Sequence, residues 1–305
     1  MLDENRRPAH NIRNILSRDF VFGFFSLFAF ILAYHALIPT LPIFFARSGS
    51  TDYQIGILIG VFGFSSLFFR LIVGGALLRY SEKRIMMFGA VLFLITFVAS
   101  LIMRPFWPFF AIRFFQGVAF ACVDTAALAF VVKVTPPFSR AQAISYFVLA
   151  PPFSQALAPS MGMSIINHFS FNVLFSICLL LALSSFLFSS RLRNEKPAIL
   201  EQPSSGKTNF FFSREVVVPS VTAFLQNFVW GGVIAFLPLY ALQCNIANPG
   251  HFFTANATML IAGRAFGGRL LDTVNRERLM LMVFATSVLA MIVIFYTRSL
   301  PMLVL

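Results

Sequence analysis

The sequence predicts an all-α polytopic membrane protein. Charged residues make up only 11% of the 305 residues and hydrophobic ones 58%, whereas a soluble domain carries about 25% charged residues. Apolar runs of roughly 18 residues or more recur along the chain, each long enough to cross a hydrocarbon core about 30 Å thick. Lys and Arg collect at alternate ends of those runs. The mean hydropathy is +0.83.

The runs place about nine spans, at 20–46, 54–78, 85–103, 107–133, 140–166, 171–190, 216–243, 251–271 and 279–297. The first is too long for a signal-peptide core and lacks a small-x-small cleavage site, so it reads as a span. With this layout, 19 of the 23 Lys and Arg lie on one side: the N-terminus, Arg70, and the 79–84, 133–140, 191–214 and 264–278 segments. Arg47, Arg104 and Arg298 face the other side, and Arg113 lies within a span. The bias predicts a cytoplasmic N-terminus and a ninth span that ends outside. The expected location is a bacterial inner membrane. The net charge of +12 marks topology, and no soluble basic domain exists to carry nucleic acid. Cys122, Cys178 and Cys244 lack metal-ligand spacing and read as small buried hydrophobes. No metal or cofactor is expected.

Four segments follow: a cytoplasmic N-terminus (1–19), a six-helix bundle (20–190), a polar linker with two prolines (191–215) and a partial second bundle (216–305). The two bundles repeat each other. TLPIF (40–44) returns as FLPLY (236–240), and GGALLRYSEKR (74–84) as GGRLLDTVNRE (267–277). Two six-helix repeats around a central substrate site form a known transporter layout. The second repeat has three spans and a stub, SLPMLVL (299–305), so a truncated or fragmentary chain is expected.

Four local patterns carry a family resemblance. GALLRYSEKR (75–84) resembles the Gly-x-x-x-Asp-Arg-x-Gly-Arg-Lys loop of the major facilitator superfamily through Gly75, Lys83 and Arg84, with Arg79 where the family has Asp. Its second copy keeps Gly268, Asp272 and Arg276. RFFQGVAFA (113–121) departs from the family's fourth-helix Arg-x-x-Gln-Gly-x-Gly-x-Ala pattern only at Ala119. SQALAPSMG (154–162) is similar to the fifth-helix antiporter motif at Pro159 and Gly162, with Ser154 and Ala158 in place of Gly. ALIPTLP (36–42) resembles the end of the first helix in twelve-helix drug/proton antiporters. The resemblance implies cytoplasmic gating loops that clamp the bundles, a bending fifth helix typical of exporters, and a proton-coupling pair in Arg113 and Gln116. Glycines at the loop starts would let helix ends approach closely. Pro151, Pro152 and Pro159 would bend the fifth helix.

Arg113 and Asp124 share one stretch, AIRFFQGVAFACVDTAALAFVV (111–132). Eleven residues bring them to nearly the same helix face but about 16 Å apart, too far for an ion pair. Gln116, Gly117 and Phe120 complete a stripe that should face the bundle interior. Asp124 admits two readings. A carboxylate in a low-dielectric cavity can exchange a proton and bias a two-state bundle; alternatively it pairs with a neighbouring helix or lies near the inner interface. Tyr34, His35, Gln226, Asn227 and Trp230 are candidates for the cavity wall, and such aromatic and amide walls suit an amphipathic organic substrate. His35 reads equally as a hydrogen-bonded packing residue. No catalytic constellation is present in the sequence, so no enzyme is predicted. The function expected is proton-coupled export of a small organic molecule. The alternative is a non-transporting fragment or interaction remnant of such a transporter.

Overall fold

Ser17 starts the first helix: its hydroxyl accepts from the Phe20 N–H at 3.2 Å. The computed structural model describes residues 16–103, 106–194, 214–244, 246, 248–266 and 276–296. They form α1 (Arg18–Arg47), α2 (Asp52–Ala76), α3 (Glu82–Ile102), α4 (Phe106–Val134), α5 (Arg140–Phe147), α6 (Ala150–His168), α7 (Phe171–Ser190), α8 (Arg214–Gln243), α9 (Gly250–Phe266) and α10 (Arg276–Tyr296). Among the described residues, α1 to α4, α7 and Ser220–Gln243 of α8 are long and apolar enough to cross a membrane. We call the side where α1 begins the near face and the side where it ends the far face.

The fifth span departs from expectation. A single bent helix was predicted over 140–166; the chain instead forms α5 and α6 with a turn at Val148 and Leu149. Pro151 and Pro152 each remove a backbone donor, so the Phe147 and Val148 carbonyls lose their helical partners. Pro39 and Pro42 leave α1 unbroken, and the Thr40 hydroxyl donates to the Ala36 carbonyl at 2.8 Å.

In the first six spans, α4 packs on α2 and α3, α1 on α6 and α7, and α3 on α7. Phe30 meets Phe93 with ring centroids 4.2 Å apart, and both side chains are fully buried. Gly117 sets the α2–α4 contact, because a methyl group there would overlap the Ser65 hydroxyl and the Phe62 carbonyl. Ser26 of α1 donates to the Ser185 carbonyl of α7 and bonds the Ser189 hydroxyl at 2.6 Å.

The near face of this bundle is held by polar ties. Lys83 donates to the Ser190 and Leu192 carbonyls at 2.6 and 2.7 Å. Glu82 pairs with Lys133 at 3.1 Å. Ser81 bonds Asn194, and the Arg193 N–H donates to Asp19. The close helix approach expected at Gly75 does not occur among the described residues: a Cβ at Gly74 or Gly75 would meet nothing within 4 Å. Gly268 and Asp272 lie outside the described residues, as does the side chain of Arg276.

The later helices join this bundle along two lines. Helix α8 lies on α1 and α2, and α9 lies on α6. Ile38 of α1 shares a small apolar cluster with Val233, Leu237 and Phe253. Thr254 donates to the Ala156 carbonyl at 2.7 Å, and its hydroxyl also meets Ser160 at 2.7 Å. Gln155 bonds Asn256 at 3.2 Å. Gly250 abuts Pro159 and Ser160 so closely that a Cβ would sit 2.6 Å from the Pro159 carbonyl oxygen. These contacts fall between mid-span and the far face.

Candidate central cavity and intramembrane charges

Where α1, α2, α4 and α8 face one another, they leave a cavity of ≈ 650 Å³. That lies within the range of about 300–1,000 Å³ typical of small-molecule sites. Its wall includes Tyr34, Ile38, Phe62, Arg113, Asn227 and Phe228. It also includes five glycines, Gly56, Gly60 and Gly63 of α2 and Gly231 and Gly232 of α8.

Arg113 enters this wall from α4 and is 4% exposed. Its Nε donates to the Leu58 carbonyl at 3.1 Å and its Nη1 to Gln116 Oε1 at 3.0 Å. The guanidinium lies over the Phe62 ring, 4.5 Å from its centroid. Phe62 in turn stacks on Tyr34 at 4.8 Å, and Tyr34 touches Phe120 at 5.0 Å. Arg113, Gln116 and Tyr34 are therefore brought together, with Asn227 on the facing wall.

Asp124 stands apart from Arg113, as their spacing requires. Its Oδ2 accepts from Arg70 Nη2 of α2 at 2.6 Å. The Arg70 guanidinium also lies 5.8 Å from the Phe120 centroid. Phe120 thus touches Tyr34 on one side and the Arg70–Asp124 pair on the other. Sequence reasoning missed Arg70 as a site residue, because it was counted with the near-face topology charges. The usable signal was a cation inside the second span that needed a partner at similar depth.

Three expected wall residues lie elsewhere. His35 Nδ1 and Ser154 Oγ are hydrogen-bonded at 2.9 Å inside the first bundle, which is the packing reading of that histidine. Gln226 bonds Ser287 of α10 at 3.1 Å, away from the cavity. Trp230 packs on Phe252 and Phe253 of α9 and on the Ile38 cluster behind the wall. Residues 226 and 227 differ by about 100° around a helix, so Gln226 and Asn227 cannot share one face.

The antiporter-like stretch of α6 faces two ways. Ser154, Ala158 and Gly162 turn toward the first bundle, and a Cβ at Gly162 would lie 2.6 Å from the Ala36 carbonyl oxygen. Pro159 faces Gly250 of α9. In the 79–84 loop, Lys83 caps the end of its own bundle, while Arg79 is exposed.

Residues 23–305 match the family profile of the Major Facilitator Superfamily. Among curated proteins, the chain is 23% identical over 229 residues to the staphylopine export protein of Staphylococcus aureus, covering 72% of this chain and 57% of that protein. It is 20% identical over 271 residues to an uncharacterized MFS-type transporter of Methanocaldococcus jannaschii, covering 85% and 70%. Among solved structures, it resembles a bacterial homolog of the human lysosomal transporter Spinster, inward-facing and unoccupied, with a TM-score of 0.70 at 15% identity over 93% of this chain and 69% of that one. The inward-open xylose transporter XylE of E. coli gives 0.59 at 15% identity, covering 81% and 69%.

Proposed function

We propose a function from the premise that this match establishes: the chain belongs to the Major Facilitator Superfamily and is an integral, multi-pass membrane protein. We read it as a proton-coupled secondary transporter that exports a small organic molecule by alternating access. The observation that carries this reading is the ≈ 650 Å³ cavity that α1, α2 and α4 of the first bundle share with α8 of the second. The Lys and Arg bias assigns the near face to the cytoplasm. A bacterial inner membrane is the proposed location. Export is favoured over import by the antiporter-like stretch of α6 and by the name of the Staphylococcus relative.

The proposed proton carrier is Asp124. A proton on its carboxylate would cancel one charge of the Arg70 pair and free the guanidinium. Both partners sit on helices whose other segments wall the cavity, at Gly60 and Gly63 of α2 and at Arg113 of α4. Phe120 provides the contact between pair and wall. Arg113 and Gln116 hold the cavity end of this path, with Tyr34 and Asn227 facing the solute. Trp230 supports the wall from behind through the Ile38 cluster, while His35 and Gln226 serve contacts between helices outside the cavity. The 79–84 loop, with its Lys83 ties, staples the near face of the first bundle.

The test is flux in liposomes. Asp124→Asn should abolish uphill solute movement driven by a proton gradient, while solute–solute exchange persists. A mutant with wild-type dependence on the gradient would overturn the coupling role.

A further inference from the structure

The buried cation and the glycine-lined walls of the central cavity deserve one common explanation. Arg113 bonds two neutral acceptors, the Leu58 carbonyl and the Gln116 side chain. Among the described residues no carboxylate lies within ion-pair reach of it, and Asp124 is engaged by Arg70. A buried charge without a counter-charge is costly in a low-dielectric site. Phe62 covers one face of the guanidinium but supplies no anion.

The glycines are a second, independent observation. At Gly117, Gly162 and Gly250 a side chain would collide with a neighbouring helix, so packing demands glycine there. At Gly60, Gly63, Gly231 and Gly232 a Cβ would meet nothing within 4 Å. All four of these line the cavity. Packing among the described residues does not require them. Their effect is to leave two flat strips of backbone facing open space, with the rings of Phe62, Phe228 and Phe236 around it.

We propose that the central cavity takes an organic anion with a flat apolar body. Its carboxylate, or a similar planar oxyanion, sits on Arg113, and its ring system lies between the α2 and α8 glycine strips. The guanidinium is a fork with five donors, which suits bidentate binding of a carboxylate. Asn227 of the facing wall spends one amide N–H on the Ala223 carbonyl at 2.8 Å, which leaves its Oδ1 and second N–H for a polar substituent. An organic cation would meet uncompensated like charge, and a neutral solute would leave the buried cation unanswered. This inference rests on the transport reading, since it names the substrate class of that same cavity.

The experiment is equilibrium dialysis of the full chain in nanodiscs against three probes of one shape: 2-naphthoate, 2-naphthamide and 2-naphthylmethylammonium. The expected result is binding of 2-naphthoate tighter than either other probe by at least about tenfold. Arg113→Gln should erase that preference and Arg113→Lys should restore part of it. Gly60→Leu should weaken binding of naphthoate without changing the charge preference. Equal or tighter binding of the amide or the ammonium probe overturns the proposal, as does binding of none of the three. The wild-type comparison needs no variant, so misfolding of Arg113→Gln does not block the test. Binding preference and proton-driven flux are separate readouts. Flux without anion preference would sink this inference alone, and anion preference without proton-dependent flux would sink only the coupling reading.

Discussion

Helices α1 and α8 are sister elements of the two repeats, and they have opposite surroundings. Each is 30 residues long and carries a Leu-Pro pair near its far end, Leu41-Pro42 and Leu237-Pro238. Yet 61% of the most apolar stretch of α1 is buried, against 17% for α8. Helix α1 is enclosed by α4, α6 and α7 on one side and α8 on the other. Along α8, Val221 and Leu225 are exposed, and Phe224 and Phe228 open onto the cavity. The same apolar pattern occurs in both helices, and since lipid and protein interior are equally apolar the pattern alone does not tell which of the two a helix face meets. Hydropathy therefore specifies that a helix crosses the membrane, and close packing specifies what it crosses beside. In the first bundle that packing comes from glycine and serine contacts. Along α8, a Cβ at Gly231 or Gly232 would meet nothing within 4 Å among the described residues, so these glycines leave room there.

The sharpest way to break this contrast is to fill one glycine of each kind. Gly117→Val would drive a branched side chain into the Ser65 hydroxyl and the Phe62 carbonyl. A backbone carbonyl cannot rotate away, so the expected loss is at the upper end of overpacking costs, about 3 kcal/mol. Gly232→Ala places a methyl group in open space and should leave stability within about 0.5 kcal/mol. Size-exclusion profiles after graded heating in detergent would compare the two. Equal losses would show that both bundles are packed alike, against the reading above.

A smaller effect is expected at the near face, where the first bundle is tied by charge. Lys83→Met keeps the length of the side chain but removes two bonds, to the Ser190 and Leu192 carbonyls. A cation among the last carbonyls of a helix also answers the helix dipole. The site is only part-buried, so the expected cost is about 1–1.5 kcal/mol. Hydrogen exchange at the end of α7 should rise in this variant while exchange in α8 stays unchanged. Faster exchange in both would mean that the loop ties the two bundles to each other, as the family resemblance implied.

The Arg70–Asp124 pair tests coupling within the first bundle. Asp124 is mostly buried, but the Arg70 side chain is 42% exposed, so solvent screens part of the attraction. Single substitutions Asp124→Asn and Arg70→Gln, with the double substitution, should give an interaction of about 1 kcal/mol in thermal denaturation. An interaction near zero would remove the structural basis for Asp124 as a switch.

These predictions draw on features of unequal legibility. The helices were readable because nearly every span is a long apolar run, and α7 begins and ends where the run does. The Arg113–Gln116 contact was readable too, since residues three apart meet on a helix. The α5–α6 break was half readable: consecutive prolines announce lost donors, but whether a helix bends or stops depends on its neighbours. Arg70 was readable as a cation inside the second span that needs a partner, but Asp124 as that partner was not. Pairing between helices depends on their relative rotation, and a hydropathy profile carries no phase. The two kinds of glycine look alike in sequence for the same reason, because only the facing helix distinguishes Gly117 from Gly60.

The weakest expected effect concerns the seam that joins the bundles. Thr254→Val keeps the shape of the side chain and removes the hydroxyl that donates to the Ala156 carbonyl and meets Ser160. Polar contacts between membrane helices average about 0.6 kcal/mol, which corresponds to a two- to threefold shift between two states. The seam lies toward the far face, so losing the contact should favour states in which that face opens. Cys244 reports on this, because it borders the Ile38 cluster at the far end of α8 and is partly exposed, while Cys122 and Cys178 are buried. Maleimide labelling of Cys244 should therefore quicken about two- to threefold in Thr254→Val. Gly250→Ala presses on Pro159 and Ser160 at the same seam and should quicken it further. Unchanged labelling in both variants would mean that the α6–α9 contact does not move, and the rocking of one bundle against the other would need a different hinge.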